Sequence, residues 1–172
     1  MKTGIDFYMN EDVTIKCDDV VIRNHVAIDK GFYCTTKLKI GDYVHIAPYV
    51  TVTGGKEAEL VMKSFSGFAA GCRIACSSDS YTSGHLMNPI VPAKYRKVEI
   101  TTVTMEMFSC LGTNCVVLPG VTIAEGSVVG ANSLVTKSTE PWTIYVGTPA
   151  KPVGTRPKKM CYEFAREMGY DV

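Results

Sequence analysis

Residues 105–135 read MEMFSCLGTNCVVLPGVTIAEGSVVGANSLV. Within them Met105, Leu111, Val117, Ile123, Val129 and Val135 recur at every sixth position. A smaller set follows four residues after most of these: Ser109, Cys115, Val121, Ser127 and Ser133. The same count runs through Ile22, Ile28, Cys34, Ile40, Ile46 and Val52, and resumes at Met62, Phe68 and Ile74. A fixed short period is the mark of a solenoid. Strand side chains alternate with period two, so apolar residues at positions one and five of six describe a very short strand and a turn. Gly41, Ala47, Ala69, Gly112, Ala124 and Gly130 follow the first apolar position, where a small residue lets the backbone bend. Three such units make one triangular coil, and coils that bury their apolar positions against each other make an all-β parallel β-helix. A helical reading fails, because six is not a multiple of the helical period and Val, Ile, Thr and Gly dominate.

The chain has 172 residues and a formal net charge of +1. That length supports one domain with a real core, and that charge gives no case for a nucleic-acid partner. The seven cysteines show no CxxC pair and no zinc spacing. Cys34, Cys72 and Cys115 take inward positions of the six-count and read as small apolar filler. That usage fits a reducing cytoplasm. The first ten residues hold no apolar run, so no secretory signal is expected there. No stretch approaches the length of a membrane span. Residues 1–21 read as a cap or an irregular first coil, because the step from Ile15 to Ile22 is one residue too long. Residues 22–138 form the β-helix. Residues 139–172 form a tail, in which Pro141, Pro149, Pro152 and Pro157 argue against a regular element across 140–157. The tail ends in a short amphipathic helix near 158–168, with Met160, Phe164 and Met168 four apart.

Two segments leave the count. One is a short bulge from Thr53 to Glu59. The other, residues 76–98, is CSSDSYTSGHLMNPIVPAKYRKV. An insertion this long in a compact domain points to function, and in solenoids such insertions project from one side to bind ligands. His85 lies in the middle of this loop. His45 lies at an outward position beside the first break. His25 also faces outward, on an early coil, and reads as a plain surface residue. Imidazole suits a general base that takes a proton from a hydroxyl or an amine near neutral pH.

The run LGTNCVVLPGVTIAEGSVVGANSLVTKS, followed by PWTIYVGTPAKPV, resembles the hexapeptide-repeat acyltransferases. Within them it is most similar to sugar O-acetyltransferases of the galactoside and maltose type and of bacterial surface polysaccharides. The resemblance covers about 40–153. It implies a left-handed β-helix, against the usual crossover rule, and a homotrimer with active sites between subunits. It implies acetyl-CoA as co-substrate, with no metal. Gly112 and Thr113 would sit by the pantetheine arm, with Ala131, Thr136 and Lys137 further along. Lys151 and Arg156 would approach the nucleotide phosphates. In galactoside-type relatives the catalytic histidine stands about two dozen residues before the glycine run, and counting back from Cys110 lands within one residue of His85. The family's loop is richer in histidine, and its aromatic residue at the place of Cys110 is absent. Surface-polysaccharide relatives lack the loop histidine yet keep a segment like Val44-His45-Ile46, which favours His45. Both histidines stand as candidates for the base.

The activity implied is acetyl transfer from acetyl-CoA to a sugar hydroxyl in surface-polysaccharide synthesis, without a covalent enzyme intermediate. Asp79, Tyr81 and Asn88 offer hydrogen bonds to the sugar or nucleotide-sugar acceptor. The alternative is N-acetylation of an amino-sugar nucleotide, where the amine needs less help from a base. A non-catalytic scaffold is a third class. A zinc hydratase of similar fold needs closely spaced histidine ligands, whereas His25, His45 and His85 are 20 and 40 residues apart. Nucleotidyl transfer is disfavoured because no glycine-rich phosphate loop is present.

Overall fold

The computed structural model describes residues Met1–Val172. Its strands form three parallel stacks, each one face of a triangular prism. The first face stacks Lys2–Thr3, Val20–Ile22, Lys37–Ile40, Glu59–Met62, Thr102–Met105 and Thr122–Ile123. The second stacks Phe7–Met9, Val26–Ile28, His45–Ile46, Gly67–Phe68, Cys110–Leu111 and Val128–Val129. It continues into a hairpin of Thr143–Val146 and Lys151–Thr155, whose strands pair antiparallel, so the prolines do not keep this part of the tail irregular: Pro141 and Pro149 lie outside the strands and Pro152 sits on the edge strand. The third stacks Thr14–Ile15, Tyr33–Cys34, Thr51–Thr53, Arg73–Ala75, Val116–Val117 and Leu134–Val135. The fold is the parallel β-helix that the repeat implied, of the left-handed kind that the family resemblance implied.

The six-count is the interior. Register places Ile28, Ile46, Phe68, Leu111 and Val129 in one inward column of the second face, closed by Tyr145. Ile22, Ile40, Met62, Met105 and Ile123 form the matching column of the first face, and all are buried. Each such side chain contributes about 1.5–3 kcal/mol through its removal from water. The smaller set carries polar atoms without penalty. Ser66, Ser109 and Ser133 donate to the carbonyls of Lys63, Glu106 and Gly130, three residues back. No buried side-chain nitrogen or oxygen lacks a partner.

Residues 1–15 already make a coil in register with the next, Ile15 pairing with Cys34. The extra residue before Ile22 is taken up in the turn between the strands Thr14–Ile15 and Val20–Ile22.

One corner of the prism is lined by aromatic rings. His25, Tyr43, Phe65, Phe108 and Trp142 all have positive φ, from 55° to 62°. A side chain in that region costs about 1–2 kcal/mol. Stacking offsets it: ring centres are 4.4 Å apart for His25–Tyr43, 5.3 Å for Tyr43–Phe65 and 5.4 Å for Phe65–Phe108. Such pairs contribute about 0.5–1.5 kcal/mol each. Helix Lys159–Glu167 closes over this ladder. Tyr162 meets Phe108 and Trp142, and Tyr170 meets Tyr43 and Phe65 edge-on. The helix therefore turns Ala165 inward and leaves Met160, Phe164 and Met168 exposed. Its amphipathic stripe faces outward because the ladder already supplies rings and needs a close-fitting partner.

Gly126 (φ 64°) lies between Phe108 and Trp142 in this column, and a methyl group there would run into the Trp142 ring. Gly126→Ala is expected to lower stability by about 2–4 kcal/mol, measured by denaturant unfolding. Cys34, Cys72, Cys76 and Cys115 are buried free thiols, and burial pushes the Cys76 thiol up to about 12. A small alkylating reagent should modify exposed Cys110 in the native protein and these four only as the chain unfolds, read by mass spectrometry.

Candidate active site

The residues that carry chemistry fall into two places on one chain. The first is a groove on the outer surface of the second face. Val44 and Ile46 point inward, so alternation turns His45 out. Across the sheet Ala27, His45, Gly67 and Cys110 share one outward register. A Cβ on Gly67 would meet only the His45 carbonyl oxygen, at 3.3 Å. The missing side chain leaves open space between the imidazole and Cys110. The groove, of about 360 Å³, is lined by His45, Ala47, Gly67, Ala69, Ala70 and Cys110 among others.

His45 Nε2 lies 2.9 Å from Asp29 Oδ2. Asp29 follows inward Ile28, at the corner position that Gly or Ala holds on many other coils. With the proton on Nε2 held by the carboxylate, Nδ1 is left with a free lone pair. That is the arrangement of a general base with an orienting acid. The six-count singled out His45 but not Asp29. The available signal was an acidic residue where the pattern otherwise puts a small one.

The second place is the cleft under the long insertion. Ser77–Asp79 pairs antiparallel with Val98–Ile100 at the loop's base. Asp79 Oδ1 accepts from Arg96 Nε at 3.0 Å and Nη2 at 2.8 Å, and Oδ2 accepts from the Asn88 N–H at 2.9 Å. Two distant points of the loop, Asn88 and Arg96, are thus tied to one carboxylate. The Asn88 hydrogen bond and the Arg96 guanidinium hold that carboxyl below the usual aspartate range. The cleft, of about 450 Å³, is lined by Ser77, Ser78, Ser80, Thr82, Leu118 and Thr136 among others. Asp79 and Tyr81 also border it. Tyr81 is free to make contacts, at 81% exposure, whereas Asp79 is committed to its own loop. Asn88 caps a turn, its Oδ1 accepting from the Ile90 N–H.

His85 sits exposed further along the loop, with Nδ1 3.1 Å from both the carbonyl and the hydroxyl oxygen of Ser83 and no acid beside it. The structure does not bring His85 and His45 together within one chain. Gly112–Thr113 and Ala131 lie on successive rungs of the corner above the His45 groove, where the Asn132 N–H donates to the Thr113 carbonyl. A Cβ on Gly112 would lie 2.6 Å from the Ala131 nitrogen, so the stacking itself requires glycine there. Thr136 opens into the loop cleft, and Lys137 and Lys151 are exposed. Arg156 is engaged elsewhere: its Nη1 donates to the Phe108 and Gly126 carbonyls at the aromatic corner, at 2.6 and 3.2 Å. Its guanidinium locks the tail down, so the phosphate contact expected of it finds no geometric support.

No family model matches the chain. It is 32% identical over 149 residues to a dTDP-4-amino-4,6-dideoxy-D-glucose acyltransferase of Escherichia coli, covering 84% of this chain and 76% of that protein. It is 33% identical over 120 residues to WbbJ of Escherichia coli K12, a putative lipopolysaccharide biosynthesis O-acetyl transferase, covering 69% of this chain and 58% of that protein. Among solved structures it superposes on a variant of AntD, an N-acyltransferase from Bacillus cereus, in complex with dTDP and coenzyme A. The TM-score is 0.91 at 27% identity over 98% of this chain and 91% of AntD.

The Asp79 clamp has a pH signature. A carboxyl with a lowered folded pKa contributes its stability above the unfolded value and loses it as pH falls through the folded one. The Asn88 amide resonance is expected to titrate with a midpoint below about 3.9. Arg96→Ala should move that midpoint up toward the ordinary aspartate value, as read by NMR.

Proposed function

Because the chain belongs to the hexapeptide-repeat acyltransferases, we propose that it transfers an acyl group from acetyl-CoA to the amino group of a nucleotide-linked amino sugar. What carries the reading is likeness along nearly the whole chain to AntD, including a variant of it complexed with dTDP-4-amino-4,6-dideoxyglucose and coenzyme A, at a TM-score of 0.89. This places weight on the amine acceptor rather than on the hydroxyl that the repeat and tail suggested. The O-acetyl reading keeps one specific support: the His45–Asp29 pair is the kind of base that a hydroxyl needs more than an amine does.

The acceptor nitrogen attacks the thioester carbonyl, forming the C–N bond as the C–S bond breaks. His45 Nδ1 takes the proton that the nitrogen loses and passes it to the departing thiolate, giving free CoA. Asp29 fixes the ring and stabilises it while it carries the proton. Gly112, Thr113 and Ala131 offer a smooth, open corner to the pantetheine arm, and Lys137 and Lys151 are the cations free to meet phosphates. Tyr81 and Thr82 are the loop groups free to meet the sugar.

The groove and the cleft lie on different parts of the prism, so one chain presents two half-sites. A homotrimer in which the loop of one protomer covers the groove of the next would join them. The exposed apolar side chains of the loop, Tyr81, Leu86, Met87 and Ile90, suit burial against a neighbour. A reducing cytoplasm, where acetyl-CoA and nucleotide sugars occur, is the fitting compartment for the seven free thiols.

The test is turnover on a dTDP-linked 4-amino sugar compared with a panel of sugar hydroxyl acceptors. Preference for the hydroxyl panel would replace the amine reading with O-acetylation. His45→Ala is expected to lower kcat by roughly 10²-fold or more, and Asp29→Asn by less. If His85→Ala loses turnover and His45→Ala keeps it, the base is the loop histidine of a neighbouring protomer.

A further inference from the structure

The corner that carries Gly112 and Ala131 continues past the His45 groove to an uncovered patch of rings and cations. Its turn residues are Gly31, Tyr49, Gly71, Asn114 and Asn132, all with φ between 58° and 74°. Backbone hydrogen bonds stack them: Tyr49 N–H to the Lys30 carbonyl, Gly71 to Pro48, Asn114 to Ala70 and Asn132 to Thr113, at 2.8–2.9 Å. Glycine and asparagine are the residues that tolerate this conformation. Tyr49 is the exception. The rings of the other corner also accept the strain, but there they stack on each other under the C-terminal helix. Tyr49 has no such cover. It rests one edge over Gly31 and is 54% exposed. A strained, exposed ring on an otherwise Gly/Asn corner calls for a role outside packing.

Its surroundings give that role a chemistry. Lys30 Nζ lies 5.7 Å from the centre of the Tyr49 ring, and Lys16 Nζ lies 5.4 Å from that of Tyr33 on the adjoining face. Neither lysine makes an ion pair. The Tyr49 hydroxyl beside it raises the Lys30 pKa, and Asp12 adds a weaker attraction from further away. Arg73 braces the corner from beneath, its Nη1 donating to the carbonyls of Tyr49, Gly71 and Cys72. Lys30 directly follows Asp29, the partner of His45, and Tyr49 follows Ala47 by two residues. The patch therefore adjoins the groove on the side away from Gly112 and Ala131.

We infer that this corner holds the nucleoside diphosphate of the acceptor, with the base against the Tyr49 ring and the phosphates beside Lys30 and Lys16. The inference rests on the nucleotide-sugar reading above and adds where that substrate is recognised. Every base offers a π-face to an aromatic ring, and lysine ammonium groups meet phosphate oxygens as point charges. Donor and acceptor would then lie end to end along one corner. CoA would run over the later coils and the nucleotide over the earlier ones, and the reacting atoms would meet at the groove. The small residues Ala69 and Ala70 occupy the rung between.

The experiment is calorimetric titration of thymidine diphosphate into wild type, Tyr49→Asn, Tyr49→Phe and Lys30→Ala, with CoA titrated into each as a control of folding. Asparagine is already used at this corner, by Asn114 and Asn132, so Tyr49→Asn suits the turn better than tyrosine does. Tyr49→Asn and Lys30→Ala are each expected to weaken nucleotide binding about tenfold or more, and Tyr49→Phe to keep it. In turnover, the loss should fall on the acceptor KM rather than on kcat. If thymidine diphosphate binds wild type and both weakening variants equally, the subsite is overturned while the nucleotide-sugar reading stands. If wild type binds neither thymidine nor uridine diphosphate and acylates unlinked sugars, the functional reading falls and the subsite with it. Equal loss of CoA and nucleotide affinity in Tyr49→Asn would also overturn the subsite, since it would show a general effect on the corner.

Discussion

Every part of this molecule depends on the backbone hydrogen bonds that hold one coil in register over the next. Strands of about 4.8 Å spacing leave no freedom for a residue to drift from the one below it. A position in the six-count is therefore a column running the length of the prism. Whatever one coil places in a column must fit what its neighbours place there. Inside, that rule selects aliphatic residues of similar size, with Ser and Cys where a turn carbonyl wants a donor. At one corner it builds an aromatic ladder. At another it keeps Gly and Asn. On the outer second face it sets Ala27, His45, Gly67 and Cys110 side by side.

Because columns are uniform by default, function shows itself where one departs from its own rule. Gly67 breaks the outward column of the second face and opens a groove, although a Cβ there would be only slightly tight. Gly112 looks like the same kind of exception but is not, since the rung above leaves no room for a Cβ. Asp29 replaces a small corner residue and captures the His45 ring. Tyr49 replaces glycine or asparagine and stands in the open. These departures lie on adjoining rungs, and several unrelated ones would not be expected to gather at one place.

Much of this could be read from the chain alone, and the parts that could not have physical reasons. The period reports side-chain direction, so the inward columns, the buried thiols and the long insertion were legible. It says nothing about which corner a turn residue occupies. The aromatic ladder was hidden for that reason: successive members among His25, Tyr43, Phe65, Phe108 and Trp142 lie up to 43 residues apart and share a column only once insertions are folded away. Arg156 was expected to meet the nucleotide phosphates. Its actual partners, the carbonyls of Phe108 and Gly126, are 48 and 30 residues distant. The outward turn of Met160, Phe164 and Met168 was likewise set by the ladder beneath the helix. Asp79 shows the same limit within a loop. A carboxylate beside serines suggests sugar binding, but its two oxygens close the loop on itself.

The exposure of His45 also bears on how the chemistry is divided. Its side chain is 59% exposed and that of Asp29 is 31% exposed. In open water a histidine–aspartate pair gains little, because solvent screens the attraction that orients and polarises the ring. The pair becomes an effective base only when water is displaced, and nothing in its own chain displaces it. The loop cleft has the opposite problem. It has serines, a tyrosine and apolar cover, but its histidine has no acid to orient it. On the proposed reading each half would lack what the other has: the groove would supply the proton acceptor and the path for the thioester, and the loop the cover and the hydroxyls. A solenoid cannot fold back to join two of its own corners, since register forbids it. On the proposed reading, the rigidity that makes the columns reliable would put the completed site at a contact between copies.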